Sequence, residues 1–206
     1  MILFCIITSE KEFLNCFMVI PDKKRLHYLS WLTLLGMSSI GILLISYLQK
    51  KEVEPVLLGG KPYYTQVLTG LSFGAISAAL AAVLIRGKRF KSVRSFFEHL
   101  MRELNPSFIS IIFYSFCAAV GEEVLFRAGI QPLIGIWPAS VLFVLLHGYI
   151  NPSNVSLSIY GVFLIVICSG FGYLFKYLGL TSSITAHFIY DVAMFNLLKY
   201  AYHEPH

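Results

Sequence analysis

Apolar positions in this chain come in long unbroken stretches, parted by short polar segments. Runs of roughly 20 apolar residues match the hydrocarbon thickness of a bilayer, where only helices or closed barrels satisfy the backbone. The stretches do not alternate with period two, so helices are expected rather than barrel strands. The pattern predicts spans over 27–48, 63–85, 106–128, 137–150, 156–176 and 181–199. The fourth is short for a full crossing; it is expected to tilt, or to continue into the "NPSN" segment at 151–154 within the protein. The expected fold is all-α: a polytopic membrane helical bundle of about six to seven helices with an intramembrane polar site.

Residues 1–26 read as an interfacial or loose N-terminal segment. The first apolar run is too short to span, lacks a basic flank and is broken by "SEKE", which speaks against a cleaved signal peptide. Residues 27–206 read as one membrane domain without repeats. Gly70, Gly74 and Ala78 form a small-residue stripe suited to close helix contact. Between the second and third spans, "SVRSFFEHLMREL" sets Phe96, Phe97 and Leu100 on one face and basic groups elsewhere, the pattern of an amphipathic helix lying at the membrane interface.

Composition agrees with a membrane protein: of 206 residues, 57% are hydrophobic and 13% charged, about half the charged share of a soluble domain. The net charge of +5 does not point to nucleic acid, because the cations lie in short loops such as "PDKKR" and "RGKRFKSVR". Such loops stay cytoplasmic, which predicts a cytoplasmic N-terminus. Cys5, Cys16, Cys117 and Cys168 form no CxxC pair, so neither a disulfide framework nor a zinc-finger-like site is expected.

Against this background the ionisable residues of the last four spans stand out: Glu122, Glu123, Arg127, His147, His187, Asp191 and, near an end, Lys176. A charge at mid-bilayer costs about 2.5–3.5 kcal/mol on insertion scales, so three within "GEEVLFR" require compensation. Glu123 and Arg127 are four apart and share a helix face, a structural clamp. Glu122 projects about 100° away and is not consumed by that pairing; it needs a proton, a metal or a water. Phe143 and His147 are four apart in "FVLLH", as are His187 and Asp191 in "HFIYD". A lone intramembrane histidine is often only an interhelical hydrogen bond. Glu, His and His on three separate helices are instead the side chains of general-base chemistry or metal binding.

"EEVLFR", "FVLLH" and "HFIYD", in that order, resemble the EExxxR, FxxxH and HxxxN/D elements of the CPBP family, which comprises type II CAAX prenyl endopeptidases and bacteriocin-processing and self-immunity (Abi) proteins. The resemblance covers about 105–195, the expected catalytic core. It implies an integral membrane endopeptidase acting on a membrane-associated peptide or protein, expected in a prokaryotic cell membrane. By position Glu122 is similar to the acid that activates water with His147. Glu123 and Arg127, with Phe143, match the supporting elements, and His187 with Asp191 the group that steadies the oxyanion. The family is described both as metalloproteases and as metal-free glutamate-dependent enzymes, so Glu122, His147 and His187 could form a site for zinc or another divalent ion, or a base with an electrophilic imidazole. Prenyl-processing members typically carry asparagine at the place of Asp191; an ionised carboxylate would repel an oxyanion, so Asp191 is expected to orient His187, to bind a metal or to stay protonated, and CAAX-type preference is in question. Two other readings stay open: a non-proteolytic scaffold or self-immunity protein of the same family, and an ion transporter, which the lack of inverted repeats disfavours. No HExxH, Gly-x-Ser-x-Gly or GxGD element is present to indicate other intramembrane proteases.

Overall fold

A computed structural model describes residues 23–201. The expectation for 1–22 lies outside the described residues, as do His203 and His206. Among the described residues every regular element is helical. The helices, numbered here in chain order, are α1 (Lys23–Leu48), α2 (Val53–Leu58), α3 (Tyr63–Arg86), α4 (Lys91–Leu104), α5 (Phe108–Ile134), α6 (Ile136–Leu146), α7 (Val155–Leu178) and α8 (Leu180–Asn196). Four of these, α1, α3, α5 and α7, are long and apolar enough to cross a membrane. The short fourth run is α6, and the amphipathic helix expected between the second and third spans is α4, which buries Val93, Phe97, Met101 and Leu104. Two features go beyond the expected spans: the short helix α2, and a third span that runs on to Ile134 rather than ending at 128.

Large apolar side chains remain exposed on the outer face of α3, among them Leu68, Ile76, Leu80 and Val83, as a surface turned to lipid requires. The opposite face carries the small-residue stripe. A Cβ on Gly70 would come within 2.6 Å of the Ser182 carbonyl oxygen, and one on Gly74 within 2.4 Å of that of Ala186. The two glycines thus let α8 lie directly against α3, and this contact sets the position of His187, one residue beyond Ala186.

α5 is gripped in the same way by α1. A Cβ on Gly121 would meet the Thr33 carbonyl oxygen at 2.3 Å. Immediately after Glu123 the α5 backbone widens into a π-helical stretch, Val124–Ile130. Wide turns of this kind inside α-helices are frequent at functional sites.

The ends of the bundle differ in charge. The start of α1, the 87–105 segment, the start of α5 and the end of α8 meet at one end, where Tyr114 shares a hydrogen bond with His27 (2.9 Å) and Lys199 donates to the Pro106 carbonyl. Arg86, Lys88, Arg89, Lys91, Arg94 and Arg102 gather here, and it is called the basic end below. At the opposite end the Lys61 amide donates to the Leu178 carbonyl at 2.7 Å, tying the segment before α3 to the end of α7.

The close contact of α3 with α8 is testable. Gly74→Ala should cost about 1–3 kcal/mol through overpacking and lower the thermal midpoint in detergent. Gly36→Ala, whose Cβ meets only Leu32 Cδ1 at 3.5 Å, should leave it unchanged. Equal midpoints for the two variants would remove the argument.

Candidate active site

The polar residues of α5, α6 and α8 converge inside the bundle. Glu123 and Arg127 are fully buried, and Glu122 is 1% exposed. Charges so placed must be paired or hydrogen-bonded. Glu123 meets this with both oxygens: Oε2 accepts from Arg127 Nε at 3.2 Å, and Oε1 accepts from His187 Nδ1 at 3.0 Å. Arg127 also donates from Nη1 to Ser140 Oγ on α6 at 3.2 Å. One carboxylate therefore joins α5 to α8, and its arginine joins α5 to α6.

His147 owes its place to the end of α6. Gly148 adopts a φ of +74°, a backbone conformation glycine takes without the steric cost of a Cβ, and the helix ends there. At this end both the amide and Nδ1 of His147 turn to the Phe143 carbonyl, at 3.2 and 2.7 Å. The Phe143 ring stacks on the imidazole with centroids 4.1 Å apart, while Phe171 stacks on His187 at 5.6 Å.

These contacts set the tautomers. A carbonyl oxygen only accepts, so Nδ1 of His147 carries the proton; the same holds for His187 against the Glu123 carboxylate. When neutral, both rings present an unprotonated Nε2, and both face Glu122. Oε2 of Glu122 lies 3.7 Å from His147 Nε2 and 3.8 Å from His187 Nε2. Asp191 approaches the same nitrogen of His187, with Oδ2 at 3.6 Å. Glu123, not Asp191, therefore fixes the orientation of His187. Three carboxylates face one guanidinium and two imidazoles, a concentration of charge whose interactions are strong in a low-dielectric interior.

The set Glu122, His147 and His187 suits a divalent ion in kind and in tautomer, each histidine being held through its other nitrogen as metal ligands commonly are. Zinc bonds of about 2.0–2.1 Å would set neighbouring ligand atoms roughly 3.3 Å apart, closer than the separations here. Among the described residues no group of three or more His, Cys, Asp or Glu side chains stands ready to hold an ion.

From Glu122, His147, His187 and Asp191 a cavity of about 170 Å³ runs toward the basic end, reaching Leu104, Pro106 and Leu198. Phe97, Leu100 and Met101 of α4 line its flank, and Tyr149, Tyr160 and Tyr190 form an aromatic wall beside the polar residues. Glu122 lies 14 residues into α5, about 21 Å along the helix, so the cavity is what brings the basic end within reach of it.

Several of these residues carried no role in the sequence reading. Ser140 was legible in principle: Ser140, Phe143 and His147 lie at i, i+3 and i+7, on one helix face. Phe171 and the tyrosine wall come from helix packing and have no comparable spacing signal.

Fold and site together define a helical integral-membrane protein with a buried carboxylate–imidazole centre. Residues 104–193 match the family described as Rce1-like, type II CAAX prenyl endopeptidase Rce1-like. The matched segment contains all three motifs and agrees with the resemblance they carry, which at the family level is to a CAAX-type membrane endopeptidase. No curated protein and no solved structure matches the chain significantly.

The shared carboxylate predicts a difference in folding. Removing one partner of a buried pair costs about 3–5 kcal/mol, so Glu123→Gln or Arg127→Ala should lower the monodisperse yield in detergent well below that of Glu122→Gln. Matching yields across the three variants would show that Glu123 does not hold the bundle together.

Proposed function

We propose that the protein is an integral membrane endopeptidase that hydrolyses a peptide bond of a membrane-associated protein or peptide approaching from the basic end. The observation that carries this reading is the Glu122 carboxylate between two imidazoles whose Nδ1 atoms are already committed, at the head of an apolar cavity. Separations of 3.7 and 3.8 Å exceed direct hydrogen bonds, and Oε2 and both Nε2 atoms turn to one place at the cavity head, where a water can be held on entry. Glu122 takes a proton from that water as its oxygen attacks the scissile carbonyl carbon, while His147 Nε2 accepts the second water hydrogen and aims the lone pair. His187, carrying a proton on Nε2 and anchored through Nδ1 to Glu123, donates to the carbonyl oxygen as it gains charge. Glu122 then returns its proton to the leaving amine. Asp191 sits beside His187 Nε2, where its carboxylate balances the charge on that ring. The same three side chains, Glu122, His147 and His187, match a divalent-ion site in kind but stand farther apart than ligands of a bound zinc would, and each step above uses the protein's own groups.

The apolar flank of the cavity suits a hydrocarbon group on the substrate, and the family match favours a prenyl chain. The cation-rich end, with Lys23, Lys24 and Arg25 beside the 86–102 cluster, is assigned to the cytoplasm by the positive-inside rule, which puts the N-terminus there too.

Two measurements test this reading. In membranes given a farnesylated CAAX-type reporter peptide, Glu122→Ala and His147→Ala should each reduce cleavage by at least about a hundredfold at unchanged abundance. Near-wild-type cleavage by either variant would refute the water-activating pair. Metal content by plasma mass spectrometry, on wild type beside Glu122→Ala and His187→Ala, separates the two chemistries. Stoichiometric zinc lost in both variants establishes the metal-assisted form, and active metal-free protein establishes the glutamate form. Metal-free protein without activity would favour the scaffold reading.

A further inference from the structure

A second concavity lies at the opposite end of the bundle, on none of the residues of the candidate active site. It is a cleft of about 850 Å³ between the segment joining α1 to α3, the turn between α5 and α6, and the end of α7. Lys51, Lys61 and Lys176 line it, and no acidic residue does; Glu52 and Glu54, in the same segment, stand outside the lining. If the other end faces the cytoplasm, lysines are disfavoured at this end. Three of the cations found here nevertheless share one cleft, whose field would draw an anion.

The level of the cleft in the membrane follows from its aromatic residues. Trp137, Tyr173 and Tyr177 line it and are exposed, and such side chains mark the headgroup layer. Lys176 lies over the Tyr177 ring, 5.3 Å from its centroid, which holds the ammonium at that depth. The rest of the lining is largely apolar or glycine backbone, so acyl chains can run beside the cationic pocket.

We propose that this cleft binds the phosphate headgroup of an anionic phospholipid, with the three lysines as its phosphate donors and the aromatic rim against the glycerol and upper acyl chains. Lysine ammonium groups suit a phosphate whose orientation varies, since each acts as a point charge. A free phosphate ester shares the charge but would leave the aromatic rim unused.

The chain has two tryptophans, Trp31 and Trp137, so Trp31→Phe leaves a reporter inside the cleft. Trp31 packs edge-on against Phe113, a contact phenylalanine can keep. In phosphatidylcholine vesicles, Trp137 of this variant should be quenched by brominated phosphatidylglycerol at a mole fraction about tenfold lower than by brominated phosphatidylcholine. Adding Lys51→Gln, Lys61→Gln and Lys176→Gln should abolish that preference; Arg89→Gln with Lys91→Gln, at the basic end, should leave it intact. Equal quenching by the two lipids, or a preference that survives the triple substitution, would overturn the proposal. So would reversal of the quenching by millimolar glycerol phosphate, which would identify a soluble phosphate ester as the ligand. Should the triple variant elute as aggregate in gel filtration, Lys61→Gln alone is read by the same criterion, with a partial loss expected and an unchanged preference again overturning the lipid site.

Discussion

The arrangement depends on one carboxylate sharing its two oxygens between two partners in a water-poor interior. Glu123 cannot be buried as an ion without compensation, and Arg127 and His187 supply it from opposite sides. Because the partners lie on α5 and α8, satisfying the charge also fixes the distance between those helices. The guanidinium extends the same tie to α6 through Ser140. Three helices that carry the buried polar residues are thus held by the interaction that solves the solvation problem of two of the charges.

Small residues make that interaction geometrically possible. Gly70 and Gly74 admit α8 against α3, and Gly121 admits α1 against α5, in each case where a Cβ would meet backbone. In a bilayer, helix association has little hydrophobic driving force, so close packing and polar contacts carry it. The glycines bring His187 within 3.0 Å of Glu123, and the hydrogen bond then selects its tautomer. Backbone contact, helix spacing and the protonation pattern of a ring form one causal chain. Its product is a pair of Nε2 atoms turned toward Glu122, beside a cavity that leads to the basic end.

The two ends of the bundle share a pattern of charge beside apolar surface. At the basic end, cations surround the amphipathic helix α4, whose buried face lines the cavity and gives it an apolar flank. At the other end, lysines and aromatic side chains share a cleft. Each end sets charged side chains beside apolar surface.

Much of this was legible along the chain. Unbroken apolar runs determine helices in a bilayer, because backbone groups there have no solvent partner. The spacing of Glu123 and Arg127 determines their pairing, and the three motifs in order point to the family, because local helix geometry makes residues four apart neighbours. The sequence could not show that Glu123 rather than Asp191 orients His187, since that bond joins residues 64 positions apart. Nor could it reveal the π-helical stretch after Glu123, the phenylalanine stacked on His187 or the gathering of Lys51, Lys61 and Lys176 around one cleft. Those features depend on the approach and rotation of whole helices, which glycine contacts and buried charge decide only once the bundle has closed.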